Sequence, residues 1–246
     1  FFGQFNMDSE IVQDQNVRKA IEMGIDKEGF CSVIMEGRGI PAKGAFPSSF
    51  TYGNDAVETV SYDPEEAKKL LEESGWTDTD GDGYVDKDGQ KLTINWLTYP
   101  TRLEQPKLAE YAQATLKDIG IDVSVNNTSD HRTYAENGEF DVYVSSLTTA
   151  PTGDPEYFFS STVTGSKNYG NYQNDEVTRL TDQLHQTFDT EERGKLAVEL
   201  QQKILDDDAY FFVSHLNMGI VTKANVTGMA AHPCDYYEIT ADLDVQ

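Results

Sequence analysis

The sequence predicts an α/β fold in which a mixed sheet is flanked by helices. Helix and strand patterns alternate along the whole 246-residue chain, and such alternation is typical of strands connected through crossover helices. No internal repeat or low-complexity linker divides the chain. Because a chain of this length can bury a sizeable core, we expect one compact domain.

The first part of the chain contains one predicted strand and three predicted helices. Residues 1–7 have the apolar pattern of a half-buried strand, and residues 16–24 have the spacing of an amphipathic helix. A second helix begins near Asp26, and its apolar residues are Phe30, Val33 and Ile34. A third begins at Asp63-Pro64-Glu65-Glu66, because a capping Asp, a Pro at the first helical position and two acids in the first turn favour a helix start. Gly75 ends this helix.

The alternation continues through the rest of the chain. Strands are predicted over 91–99, 121–125 and 140–147, and strand-forming apolar and aromatic residues return over 210–221. Helices are predicted over 104–119, through 177–184, and from 189 or 190 through 204. The longest apolar stretch, 209–221, is interrupted by Ser214, His215 and Asn217, so no membrane-spanning helix is predicted.

The charge of the chain excludes several classes of partner. The formal net charge is -24 and the isoelectric point is about 4.3. Such a surface repels phosphate backbones and anionic lipids. The composition therefore argues against nucleic-acid and membrane-surface partners and favours a soluble, exported protein, which we expect to be a monomer.

Two cysteines, Cys31 and Cys234, lie far apart in the sequence. They allow one disulfide in an oxidising compartment but form no disulfide framework. Two unpaired buried thiols fit the sequence equally well.

An Asp-Gly-rich segment matches the first part of a calcium-binding loop. Acids occupy positions one, three, five and nine, which are Asp78, Asp80, Asp82 and Asp86. Gly83 fills position six, and the backbone carbonyl of Tyr84 would be a further ligand. Position twelve is Gly89, where the pattern requires a bidentate Glu. The segment is therefore either a structural calcium site or an Asp/Gly-rich turn.

Catalytic motifs are missing from the sequence, and we expect the protein not to be an enzyme. The four histidines are scattered, and none has zinc-ligand spacing: His131, His185, His215 and His232. We expect His185 to lie on the surface and His215 to be a core histidine with a hydrogen-bond partner. No nucleophile elbow or phosphate-binding glycine loop is present.

Two polar turns follow predicted strands. Tyr99-Pro100-Thr101-Arg102 lies between a strand and a helix, and residues 148–155 follow the 140–147 strand. Ligands of open α/β sheets bind at the carboxyl ends of strands, so these turns are the first candidates for a binding site. Arg102 offers a fork of donors suited to a carboxylate. The alternative is a solvated arginine on an acidic surface.

Taken in order, several segments resemble the extracytoplasmic solute-binding proteins for peptides and nickel, family 5. The most specific match is Tyr62-Asp63-Pro64-Glu65-Glu66-Ala67-Lys68-Lys69-Leu70-Leu71, followed by Gly75-Trp76. The other matching segments are Val17-Arg18-Lys19-Ala20-Ile21, Ile25-Asp26-Lys27-Glu28, 37–47, 116–123 and Phe140-Asp141. The Asp-Gly loop next to Trp76 also occurs in many members. The resemblance covers nearly the whole chain but about the C-terminal half of a family member.

The resemblance implies one lobe of a two-lobed protein of the periplasmic-binding-protein type II fold. Residues 1–223 would form the C-terminal ligand-binding lobe, and residues 224–246 would return toward the N-terminal lobe. The family's function is capture of a solute outside the cytoplasmic membrane and delivery to an ABC transporter permease. The expected location is therefore extracytoplasmic, either periplasmic or lipid-anchored at the cell surface.

The resemblance also implies a ligand class. Peptide-binding members place an acid in the loop after the 140–147 strand to pair with the peptide ammonium, and Pro151 occupies the matching position here. The turns at 99–102 and 149–151 are similar to the nickel-type branch, in which arginines and aromatics hold chelator carboxylates. The implied ligand-binding residues are Tyr99, Arg102, Thr148, Thr149 and Thr152. Nickel or a metal-chelator complex would be the transported ligand, and no cofactor is required apart from structural calcium, if the Asp-Gly loop binds it.

Two alternatives stay open. One is a dipeptide- or oligopeptide-binding protein of the same family that uses acids from the other lobe. The other, from a different class, is a calcium-stabilised interaction module that rests on residues 78–86 alone. A histidine that some nickel-type members carry has no counterpart among Ser166, Lys167 and Asn168.

Overall fold

The computed structural model describes residues 1–230 and 239–246 of the chain. The strands are β1 (Phe2–Phe5), β2 (Gly39–Pro41), β3 (Asp86–Lys87), β4 (Gln90–Lys91), β5 (Thr93–Thr98), β6 (Asp122–Asn127), β7 (Val142–Ser145), β8 (Tyr210–Phe212), β9 (Ser214–Leu216), β10 (Val226–Thr227) and β11 (Asp244–Val245). The helices are α1 (Gln15–Met23), α2 (Lys27–Gly29), α3 (Pro64–Glu73), α4 (Glu104–Lys117), α5 (His131–Glu136), α6 (Glu156–Phe158), α7 (Asp175–Gln186) and α8 (Thr190–Asp206). Cys234 and His232 lie outside the described residues.

A five-stranded mixed sheet forms the centre, with strand order β6-β5-β7-β1-β8. β5 is parallel to both β6 and β7, whereas β1 is antiparallel to β7 and β8. The mixed sheet predicted from the sequence is confirmed. The half-burial predicted for the first strand is wrong, because β1 has a neighbour on each side and helices over both faces, so all four of its residues are buried.

Helices cover both faces of the sheet. The helices α1, α3 and α4 pack over the face that carries Ile94, Trp96 and Val144. The helices α7 and α8 pack over the opposite face, against Phe2 and Tyr210, and α5 covers that same face at Leu97 and Tyr143 through Ala135. The result is a three-layer α/β/α domain. No helix in the described ranges has the length and apolar character needed to cross a bilayer.

Local signals set the helix ends. The Asp63 side chain accepts a hydrogen bond from the Glu66 amide (3.0 Å) and caps α3. The helix is followed by Gly75 at φ +84°, a conformation that disfavours a side chain, and the Trp76 amide then donates to the Leu71 carbonyl (2.9 Å). Both ends of α3 lie where the sequence predicts them.

In the helix predicted from Asp26, one side chain that was expected on the apolar face is exposed to solvent. After α2 the chain continues as a π-helix, Phe30–Ile34, in which the Met35 amide donates to the Phe30 carbonyl (2.9 Å). The wider turn of a π-helix changes which residues share a face. Phe30 is therefore buried as predicted, whereas Val33 is 69% exposed, so its assignment to the apolar face is wrong.

Asp208, just after α8, is a buried carboxyl with an altered proton affinity. It is 2% exposed, accepts a hydrogen bond from the Gln15 side chain (2.7 Å), and lies 3.9 Å from the Lys19 ammonium. Burial raises the pKa of this carboxyl from 3.8 to about 6. Ionised Asp208 therefore opposes folding at neutral pH.

Replacing Asp208 by Asn is expected to raise the free energy of unfolding at pH 7 by about 1 kcal/mol. A carboxyl with a raised pKa in the folded chain favours folding below its unfolded pKa of 3.8, and this contribution is lost as the pH rises through about 6. The advantage of the variant should therefore shrink as the pH is lowered toward 4. Urea denaturation across this pH range measures the difference, with exposed Asp206→Asn as the control. An advantage that is independent of pH would contradict this explanation.

Candidate functional site

The turn after β5 is linked to the end of β7 at one edge of the sheet. Tyr99 follows β5, and its hydroxyl oxygen accepts a hydrogen bond from the Ser146 amide (3.2 Å) just after β7. The same oxygen lies 3.2 Å from the Ser146 hydroxyl. Because β5 and β7 are parallel neighbours, this contact places both turns at the carboxyl ends of adjacent strands.

Tyr99 packs into this edge of the sheet, and little of its side chain is exposed to solvent. It is 8% exposed, and its ring stacks on the His131 ring at 4.2 Å between centroids. The His131 Nδ1 atom lies 2.6 Å from the Tyr143 hydroxyl. The side chains of Tyr99, His131 and Tyr143 therefore form a packed aromatic layer at this edge of the sheet.

Arg102 is exposed and makes no ion pair with any residue in the described ranges. Its backbone carbonyl accepts a hydrogen bond from the Gln105 amide (3.1 Å), which fixes the turn before α4. Its guanidinium thus keeps its donors available for a ligand. The neighbouring Leu103 is 77% exposed.

The three threonines of the second turn differ from one another. The Thr149 hydroxyl donates to the Ala45 carbonyl (2.8 Å), so this side chain ties the turn to the segment before Phe46. Thr148 and Thr152 are exposed. The hydrogen bonds of the described residues do not join any of these threonines to Arg102. Their role in binding stays a prediction.

The acids of the second turn are already paired. The Arg193 guanidinium binds both carboxylate oxygens of Asp154 (2.6 and 2.8 Å) and also Glu156 (2.8 Å). Burial alone would raise the pKa of Asp154, but the bonds from Arg193 outweigh it and lower that pKa, and Arg193 lowers the pKa of Glu156 as well. These carboxylates are therefore committed to Arg193.

The sequence reasoning missed His131, Tyr143 and Ser146. His131 comes four residues after the end of β6, the third parallel strand. The strand-end rule that selected Tyr99 and Arg102 would have selected it too, had it been applied to the 121–125 strand. Tyr143 lies within a strand, and nothing in the local sequence indicates that its hydroxyl reaches His131.

The remaining titratable side chains match the expectations for them. His185 is exposed and lies 2.7 Å from Glu156. His215 is half-buried and contacts the Asn54 side chain at 3.1 Å. Burial lowers its pKa to about 4, so its imidazole is neutral. Cys31 is buried, and burial raises the pKa of its thiol. Cys234 lies outside the described residues, so the alternatives of one disulfide and two unpaired thiols both stay open.

The Asp-Gly loop brings together three of the five predicted calcium ligands. Carboxylate oxygens of Asp78, Asp80 and Asp86 lie within 4.8 Å of one another. Asp82 is not part of this group, because it forms an ion pair with Lys91 (2.7 Å) from β4. The Lys91 ammonium also lies 4.1 Å from the centre of the Tyr84 ring. Asp78 and Asp80 are exposed, whereas Asp86 is half-buried at the start of β3. Calcium binding by this loop stays a prediction.

A cavity of about 750 Å³ lies elsewhere on the sheet. It lies on the face covered by α5, and its lining includes Asn6, Asn95, Asn126, Asn137, Asp141 and Tyr169. None of the five predicted ligand-binding residues lines it. Asp141 is used internally, since it accepts hydrogen bonds from the Asn95 amide (2.7 Å) and the Asn95 side chain (2.9 Å).

Comparison with known proteins identifies relatives over nearly the whole chain. Residues 1–170 match the family model described as bacterial extracellular solute-binding proteins, family 5 Middle. Oligopeptide-binding protein AppA from Bacillus subtilis is 31% identical over 96% of this chain and 45% of its own length. Nickel-binding protein NikA from Staphylococcus aureus is 26% identical over 92% of this chain and 44% of its own, and heme-binding protein A from Haemophilus influenzae is 26% identical over 97% and 44%.

Solved structures agree with the fold. The structure of AppA from Bacillus subtilis in complex with a nonapeptide matches with a TM-score of 0.80 and 26% identity, over 96% of this chain and 48% of that one. NikA from Staphylococcus aureus in complex with Ni(L-His)2 matches with a TM-score of 0.81 and 24% identity, over 100% and 51%. The chain thus spans about half the length of the relatives that it matches.

Proposed function

Because the chain belongs to the bacterial extracellular solute-binding proteins of family 5, we propose that it forms one lobe of the substrate-binding component of an ABC importer. The lobe captures a small solute outside the cytoplasmic membrane, and the complete protein delivers that solute to a permease. The relatives are named as binding proteins and not as enzymes. A binding role agrees with the structure, in which polar groups at strand ends face no assembled catalytic group within the described residues.

The contact between Tyr99 and Ser146 carries this proposal. It links Tyr99, which follows β5, to Ser146, which follows β7, at the carboxyl ends of the parallel strands, where open α/β sheets bind ligands. Arg102, in the turn that Tyr99 begins, is exposed without a partner in the described chain. Affinity in such a protein comes from closing a second lobe over the ligand and excluding water.

We propose that the cargo is nickel or a metal-chelator complex whose carboxylates are held at this edge. Pro151 stands where the resemblance places the acid of peptide-binding members, and the nearby acids Asp154 and Glu156 both bind Arg193. A peptide ammonium in this turn would have to compete with Arg193 for these carboxylates. The second candidate is an oligopeptide, which the similarity to AppA favours; its ammonium would then pair with acids of the other lobe.

Calorimetry on the full-length protein separates these cargoes. We expect binding of nickel in the presence of L-histidine and weaker binding of nickel alone, because the free donors at this edge fit chelator carboxylates. We expect no binding of dipeptides, because their ammonium would have to compete with Arg193 for the acids of the second turn. Binding of dipeptides with no response to nickel and L-histidine would establish the peptide alternative. A protein that binds neither class would contradict the proposed cargoes.

A further inference from the structure

Two arginines of this acidic chain have no acidic partner among the residues that the structure describes. Of the six arginines in the sequence, Arg18 is buried against backbone carbonyls, and Arg38, Arg179 and Arg193 form ion pairs. Arg102 and Arg132 are exposed, and neither pairs with an acid in ranges 1–230 and 239–246. In a chain with 43 acidic residues, two unpaired guanidinium groups are cations available to an external anion.

Both unpaired arginines follow adjacent parallel strands. Thr98 ends β5 and pairs with Asn127, which ends β6, and the Thr128 amide still donates to the Thr98 carbonyl (3.0 Å). Arg102 comes four residues after the end of β5, and Arg132 comes five residues after the end of β6. Arg102 therefore lies in the turn before α4, and Arg132 lies in the first turn of α5; both follow the carboxyl ends of adjacent strands.

His131 lies beside Arg132 and is held in one orientation. Its ring stacks on Tyr99 at 4.2 Å with 27° between the planes, and its Nδ1 atom lies 2.6 Å from the hydroxyl of Tyr143, which is 3% exposed. Its Nε2 atom has no hydrogen-bond partner among the residues that the structure describes. A ring fixed through stacking and Nδ1 presents Nε2 as its free polar atom.

Both side chains of this pair are uncharged at neutral pH, and the Tyr143 hydroxyl can donate to Nδ1 of His131. Burial raises the pKa of Tyr143, so its hydroxyl keeps its proton at neutral pH. Burial and then the charge of Arg132 lower the pKa of His131, although Asp130 opposes this, so the imidazole is neutral. In the tautomer whose Nδ1 accepts the hydrogen bond from the Tyr143 hydroxyl, the single ring proton resides on Nε2 and is a donor to a ligand.

We infer that His131 Nε2 and the Arg132 guanidinium form, together with Arg102, a subsite for a carboxylate group of the cargo. This inference rests on the proposed function and names the residues that recognise the ligand. Arg102 and Arg132 supply charge and paired donors suited to a carboxylate, and His131 supplies a third donor of fixed direction. Two acids border the edge, Asp130 and Glu104, and the Asp130 carboxylate already accepts a hydrogen bond from the Thr133 hydroxyl (2.9 Å).

Two variants of the full-length protein test the subsite. His131→Phe keeps an aromatic ring against Tyr99 and removes both ring nitrogens, and Arg132→Ala removes an exposed side chain with little effect on folding. Each is expected to weaken binding of the nickel–L-histidine complex by about fivefold, the loss of one charge-assisted or neutral hydrogen bond. Arg179→Ala, an exposed arginine on α7, is the control and should bind as the wild type does. Thermal unfolding of each variant reports whether the fold is kept.

A matched ligand makes the test specific for the carboxylate. In a nickel complex with L-histidinamide the carboxylate is replaced by an amide, so both variants should bind this complex as the wild type does. If the wild type binds peptides instead, a tripeptide and its C-terminally amidated form serve the same purpose. Equal affinity of both variants and wild type for the carboxylate ligand would overturn the inference. A change in the visible absorption of bound nickel in His131→Phe would place Nε2 on the metal and also overturn it.

The failure of the inference can be told apart from failure of the proposed function. If wild-type protein binds a carboxylate ligand and the variants bind it equally well, the subsite is wrong and the transport role stands. If wild-type protein binds neither nickel–L-histidine nor the tripeptide, the proposed cargoes are wrong.

Discussion

Replacing Arg18 by Met will lower the free energy of unfolding by about 3 kcal/mol or more. Arg18 is 8% exposed, and its guanidinium donates to four backbone carbonyls, those of Val12, Gln13, Asp207 and Asp208, at 2.8 to 2.9 Å. Met fills a similar length but donates no hydrogen bond. The variant therefore leaves several acceptors unsatisfied in a place that water reaches poorly, and each costs about 1 to 3 kcal/mol.

Urea denaturation of wild type and variant measures this loss. Arg179→Met is the matched control, because Arg179 is 59% exposed in its side chain and has one ion pair at 4.0 Å; its effect should stay within about 0.5 kcal/mol. If both variants unfold at the same urea concentration, the carbonyl contacts of Arg18 contribute little to stability. An unusually small slope for Arg18→Met would indicate a changed unfolded state and not a lost contact.

The contacts of Arg18 also illustrate what the sequence does not reveal. The helix that carries it, α1, was predicted because its apolar spacing is a local signal. Its partners Asp207 and Asp208 lie about 190 residues away, and no local pattern encodes such a pairing. Elements could therefore be predicted from the sequence, whereas the polar contacts that join them could not.

In the candidate site, too, local features could be predicted from the sequence and long-range contacts could not. Tyr99 and Arg102 could be selected because they follow a strong strand pattern and precede a helix, which is a local property. That the Tyr99 hydroxyl would contact Ser146, and not one of the threonines, depends on how β5 and β7 pair. In the Asp-Gly loop, Asp82 forms an ion pair with Lys91 instead of joining the other three carboxylates. Lys91 reaches it because β4, which carries Lys91, pairs with β3 directly after the loop. Spacing alone cannot show this.

Replacing Arg102 by Ala is expected to weaken cargo binding by the full-length protein at least tenfold, which corresponds to roughly 1.4 kcal/mol or more. The guanidinium is exposed and unpaired within the described chain, so its removal breaks no internal ion pair there and should leave the unfolding temperature unchanged. Calorimetry with nickel–L-histidine measures the change, and Arg179→Ala is again the control. An unchanged affinity would remove Arg102 from the site.

The double variant Arg102→Ala, Arg132→Ala distinguishes a shared carboxylate from two separate contacts. If both arginines bind one carboxylate, the first substitution already weakens binding of that group. The loss of binding free energy in the double variant will then differ from the sum of the losses in the single variants. If they bind independent groups, the losses in free energy will add within about 0.5 kcal/mol. Additive losses would still place both arginines at the ligand but would divide the subsite into two. Because β5 and β6 are adjacent and in register up to their last residues, we expect coupling.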